Sequence, residues 1–103
     1  MDSIGKGVFN MTVEEIKNRI IRFVPKYSIN KIILFGSRAE GTNDENSDVD
    51  LIMEFSVPVS LITLSMIKIE FEAVLGLDVD VIHGPLTEED MIEVNKEIVL
   101  YAA

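Results

Sequence analysis

Residues 47–55, SDVDLIMEF, interleave Val49, Leu51, Met53 and Phe55 with Asp48, Asp50, Ile52 and Glu54. Side chains along a strand point alternately to opposite faces, so this period of two predicts a strand with one apolar face. The other face carries three carboxylates, of which Asp48 and Asp50 are nearest neighbours. A chain built around such a strand must form a sheet, and Asp48 and Asp50 must leave it on the same side, with Cα atoms ~6.6 Å apart. Two further runs have β character: 31–35 (KIILF), which ends at Gly36, and 78–83 (DVDVIH), which Gly84-Pro85 breaks.

Helices fit around these strands. Thr12 and Glu15 have the spacing of a capping box, and Met11 and Ile16 are placed as a hydrophobic staple. Ile16, Ile20, Phe23 and Val24 then recur with helical period, which predicts a helix over 13–26. Ser60 can cap a second helix over 61–75, with Gly76 where a left-handed residue would end it. On that helix Ser65, Lys68 and Glu72 form only a narrow polar stripe, so it is either deeply buried or covered by a partner. Thr87 and Asp90, followed by Met91, Val94, Ile98 and Tyr101, predict a closing helix. The order helix, strand, strand, helix, strand, helix predicts an α+β fold of two layers, a small mixed sheet packed by helices. Residues 1–11 are expected to be irregular and 12–103 to form one domain.

The chain has 103 residues, 48% of them hydrophobic and none of them cysteine. It can bury a modest core, but it has neither a disulfide framework nor a thiolate metal site. No apolar stretch reaches the ~18 residues of a membrane span, which leaves a soluble, cytoplasmic protein as the expectation. The 18 acidic against 9 basic residues give a formal charge of −9. Such a charge opposes extended contact with a phosphate backbone, so nucleic acid is not expected as a direct partner.

The segment 36–50, GSRAEGTNDENSDVD, holds the candidate chemistry. As a phosphate-binding P-loop it has Thr42 where the motif needs its lysine. As a calcium loop it has Val49 in place of the turn glycine and Phe55 in place of the bidentate glutamate. A third reading takes Asp48 and Asp50 as metal ligands, because carboxylates two apart on a strand can converge on ions about 3.5–4 Å from each other. Asp80, central in its strand between Val79 and Val81, is the preferred third carboxylate, while Asp78 reads as a strand-start residue. At Gly36-Ser37 the chain leaves a strand, and 38–40 could form a short helix ending at Gly41. Gly36 allows close backbone approach, and Ser37 offers a hydroxyl and amides to a phosphate.

The spacing of Gly36-Ser37, ten residues, then Asp48-Val49-Asp50 resembles the signature of the DNA-polymerase-β-like nucleotidyltransferase superfamily. The fuller segment ILFGSRAEGTNDENSDVDLIMEF is similar to the MNT-type minimal nucleotidyltransferases, and the likeness extends through LGLDVDVI to KEIVLY. The resemblance implies the nucleotidyltransferase fold, with Mg²⁺, two ions in the usual arrangement, held by Asp48, Asp50 and Asp80. It implies ATP as substrate at Gly36 and Ser37, with Arg38 as a candidate to steady phosphate charge. Several members of that family are antitoxins that transfer AMP to a tyrosine of a HEPN-domain ribonuclease toxin, so the resemblance implies a HEPN toxin as partner. The alternative function is a non-catalytic module that masks a basic ribonuclease, motivated by the −9 charge and the apolar helix 61–75. Two departures from the family stand out. Glu40 replaces a basic residue common in relatives, and His83 follows the third strand, where it reads as a hydrogen-bonded strand end.

Overall fold

The structure is a computed structural model that describes residues 11–86 and 96–103. Helix α1 (Val13–Ile20) starts as its sequence dictates. The Thr12 hydroxyl accepts from the Glu15 N–H, and the Glu15 carboxylate accepts from the Thr12 N–H. The expected helix over 13–26 is interrupted by a 3₁₀ turn at Ile21–Phe23 before α2 (Val24–Tyr27). Pro25 explains the break, because it has no N–H to give to the carbonyl four residues earlier and its ring crowds that carbonyl. Ser28, in the left-handed conformation, turns the chain into β1 (Ile29–Phe35). There follow α3 (Ser37–Glu40), β2 (Val49–Phe55), α4 (Leu61–Leu75), β3 (Val79–His83) and β4 (Ile98–Ala102).

The sheet has the order β3-β2-β1-β4, with β1 antiparallel to β2 and β4, and β2 parallel to β3. It is the small mixed sheet packed by helices that the sequence predicts. One element differs. Residues 98–102 form a strand, not the end of a closing helix, and 87–95 lie outside the described residues. IVLYA is a short apolar run whose periodicity does not distinguish helix from strand. Its Ile, Val and Tyr content suits a strand, and β1 offers it an edge to pair with.

The core lies between the sheet and the helices. Val49, Leu51 and Met53 of β2 meet Ile32 and Leu34 of β1, Val79 of β3, and Leu100 of β4. Ile16 and Ile20 of α1 and Ile67, Phe71 and Leu75 of α4 cover them. The apolar half of the β2 alternation is therefore core, and Asp50 and Glu54 are driven to the opposite face. Tyr27 is buried, and its hydroxyl donates to Glu70, which also pairs with Lys26 at 2.8 Å. α4 is not fully buried within the chain, since Leu61, Ile62 and Ile69 are 81, 74 and 64% exposed. Among the described residues, no helix is long and apolar enough to cross a membrane.

Candidate active site

The parallel ladder sets Asp50 directly opposite Asp80 and Val49 opposite Val79. Partners across a parallel pair point the same way, so the two carboxylates share the face turned from the core, and Val79 is buried on the other. Asp80 is exposed, because the valines beside it supply the burial on the opposite face. Asp48 lies one residue before β2, exposed and two residues from Asp50. Asp50 is half-buried. Burial first, then the charges of Asp80 and Asp48 and a hydrogen bond with the Asp80 carboxyl, hold its pKa above the ordinary carboxylate value. Asp50 thus feels the charge of both neighbouring carboxylates.

The strand-to-helix turn closes the site from β1. Phe35 pairs with Asp50, so Gly36 arrives beside the Asp50 side chain. A Cβ built on Gly36 would stand 2.2 Å from Asp50 Oδ2, and Gly36 has φ 77° and ψ −160°, a conformation closed to other residues. Both facts require glycine at this position. α3 follows as expected and stops at Gly41, whose φ of 80° is left-handed. The Ser37 hydroxyl makes no hydrogen bond among the described residues.

Arg38 has a different setting from the one its sequence suggests. It is 4% exposed. Its guanidinium donates to the carbonyls of Ser47 (3.1 Å), Met11 (3.3 Å), Glu45 (3.4 Å) and Asp44 (3.5 Å). A planar five-donor group suits several carbonyls at once, so Arg38 ties down the 44–47 loop that delivers Asp48. Glu40 is exposed on the same short helix. His83 bonds Gly84 O through Nδ1 at 2.7 Å and lies against the Phe55 ring, as a strand-end histidine would.

The donor set is all oxygen, which suits a hard divalent cation such as Mg²⁺, and the repulsion within it is what a cation would relieve. Among the described residues no three His, Cys, Asp or Glu side chains converge tightly enough to surround one ion. The fit is therefore one of donor chemistry and charge. Sequence reasoning missed two supports, the loop carbonyls on Arg38 and an ion pair, Lys68–Glu72, that contacts the backbone of Val79. The signal for the second was present, since lysine and glutamate four apart on a helix face are neighbours.

A family model described as a nucleotidyltransferase domain matches residues 13–102. A Methanocaldococcus jannaschii protein whose name assigns it protein adenylyltransferase activity by inference is 40% identical over 72 residues, 70% of this chain and 77% of that protein. Protein adenylyltransferase MntA of Thermococcus cleftensis is 32% identical over 76 residues, again 70% of this chain and 77% of the relative. A toxin–antitoxin complex crystallised with AMP-PNP contains a similar fold, with TM-score 0.70 and 24% identity over 84% of this chain and 73% of that one. So does the complex of a tri-AMPylated Shewanella oneidensis HEPN toxin with its MNT antitoxin, with TM-score 0.63 and 20% identity over 85% of this chain and 71% of that one.

Proposed function

The chain belongs to the nucleotidyltransferase domain family, and from that membership we propose that it is an antitoxin that transfers AMP from ATP to a tyrosine hydroxyl of a HEPN-type toxin. The observation that carries the reading is the register of Asp50 on Asp80, with Asp48 two residues away and Gly36 packed on the Asp50 carboxylate. Asp48, Asp50 and Asp80 would hold Mg²⁺, which when bound supplies Lewis-acid stabilisation of the triphosphate charge. Gly36 lets the turn after β1 pack against the Asp50 carboxylate, which brings the Ser37 hydroxyl near the carboxylates to donate to a phosphate. The acceptor oxygen attacks the α-phosphorus, the new P–O bond forms as the bond to pyrophosphate breaks, and Asp80 would ligate the metal or accept the acceptor's proton. Relatives whose names give protein adenylyltransferase activity support a protein acceptor.

The test is direct. The protein is incubated with ATP, Mg²⁺ and the HEPN-type protein encoded beside it, and that protein is weighed. Added AMP that disappears in Asp48→Asn is the expected result, and an unchanged mass with every divalent metal tried refutes the reading.

Masking remains as a second reading because Leu61, Ile62, Met66 and Ile69 present an exposed apolar face on α4. Under it, Asp50→Asn still neutralises the toxin, whereas polar substitutions on α4 abolish neutralisation.

A further inference from the structure

β3 is an edge strand, and its first residue lies next to Asp80. The Asp78 carbonyl accepts from the Val49 N–H at 2.9 Å. In a trans peptide the C=O and the following N–H point in opposite directions, so the Val79 N–H faces outward from the sheet. In a parallel strand its C=O faces outward too. Both groups are taken by one ion pair on α4. Glu72 Oε2 accepts from the Val79 N–H at 3.0 Å, Lys68 Nζ donates to the Val79 carbonyl at 2.6 Å, and the two side chains meet at 2.8 Å. The pair occupies the hydrogen-bonding positions that a further strand would fill.

We propose that Lys68 and Glu72 are positioning residues for the carboxylate site, holding the edge of β3 so that Asp80 stays opposite Asp50. The inference rests on the carboxylate site proposed above. Val79 is the residue through which they act: its side chain is fully buried in the core, its outward backbone groups are fixed by α4, and the next residue is Asp80. The hydrogen bond and charge of Glu72, then the charges of Asp80 and Asp78, raise the Lys68 pKa and keep the ammonium charged. Neither side chain needs to touch substrate. Groups hydrogen-bonded directly to metal ligands are worth about 10–100-fold in metal affinity or activity, and supports that act through the backbone of the neighbouring residue are expected at the low end of that range.

The experiment measures Mn²⁺ binding by electron paramagnetic resonance, alongside kcat and KM for ATP in AMP transfer. Lys68→Met keeps the aliphatic stem and removes the donor. It is expected to weaken Mn²⁺ binding and lower kcat by about 10-fold or more, with KM for ATP unchanged. Lys68→Arg is expected to recover most of both. Glu72→Gln keeps an acceptor for the Val79 N–H and should fall between, and it decides the matter if Lys68→Met does not fold. Mn²⁺ binding within about twofold of wild type in Lys68→Met, with only the melting temperature lowered, overturns the inference. A raised KM for ATP with kcat retained also overturns it, since Lys68 would then bind the triphosphate. The two proposals fail separately. Wild-type protein that transfers no AMP refutes the reaction, while loss of Mn²⁺ affinity in Lys68→Met still supports the positioning role.

Discussion

Replacing Gly36 by alanine should separate backbone strain from damage to the carboxylate site. The added Cβ would lie 2.2 Å from Asp50 Oδ2, 3.2 Å from its Cγ and 3.4 Å from its Cβ. Unstrained contacts between heavy atoms need about 3.5 Å, so the Asp50 carboxylate oxygen must retreat by about 1 Å or swing away. The backbone cannot relieve the overlap cheaply, because φ 77° with ψ −160° costs a residue with a side chain about 1–3 kcal/mol. In a domain of this size that corresponds to a fall in Tm of roughly 5–20 °C. A displacement of about 1 Å in a catalytic group can lower the rate about 100-fold. Gly41→Ala is the control. Its φ of 80° with ψ 16° is left-handed backbone that costs an alanine about 1–2 kcal/mol, less than at Gly36, and nothing lies within 4 Å of the new Cβ. Scanning calorimetry and mass-detected AMP transfer should show both variants destabilised, and only Gly36→Ala losing transfer well beyond its loss of fold. Equal transfer by the two variants, both folded at the assay temperature, would refute the assignment of Gly36 to the site.

Three other outcomes follow from the same geometry. Asp50→Asn should abolish AMP transfer yet raise the Tm of the metal-free protein, because it removes a half-buried charge facing Asp80 and Asp48. Since the native Asp50 pKa is raised, the folded state holds this proton more tightly than the unfolded state. Its ionisation therefore costs stability as pH rises from the ordinary carboxylate pKa to the raised one, and the advantage of Asn should grow across that window, then level off. Denaturant melts at several pH values check this. Arg38→Gln should destabilise by about 2–4 kcal/mol in urea melts, since the Ser47, Met11, Asp44 and Glu45 carbonyls lose a buried charged donor, and Arg38→Lys should not restore them all. Ile62→Lys with Ile69→Lys should leave stability within about 1 kcal/mol but weaken capture of the toxin partner, whereas Phe71→Ala, in the core, should cost about 3–5 kcal/mol.

Much of this arrangement is legible in the sequence because its periods are unambiguous. The β2 alternation assigns Val49, Leu51 and Met53 to the core and Asp50 to the other face, and the structure places them so. The Thr12 capping box and the Ser60 cap use side chains whose partners lie three residues away, so local chemistry determines them. Local chemistry does not determine what depends on distant partners. Residues 98–102 are drawn into the sheet by the β1 edge, which no window around IVLYA contains. Arg38 invites a phosphate reading because it follows Gly36-Ser37, and only the folded 44–47 loop supplies the carbonyls that bury it. Lys68 and Glu72 look like a solvated stripe until Val79 is placed beneath them.

The DVDV run of β3 has a further meaning for how mutations accumulate. A one-residue insertion or deletion ahead of the strand would turn Asp78 and Asp80 into the apolar layer and expose Val79 and Val81, so such a lesion should destroy the fold along with the site. A two-residue lesion is more permissive. As an insertion it would bring Asp78 opposite Asp50 and Leu77 into the buried place of Val79, so the apolar layer is kept and the repeated dipeptide holds a spare carboxylate in frame. Lineages descended from this sequence could therefore lengthen the connection after α4 by two residues and keep an acid at the site, whereas shortening it by two would set Ile82 opposite Asp50.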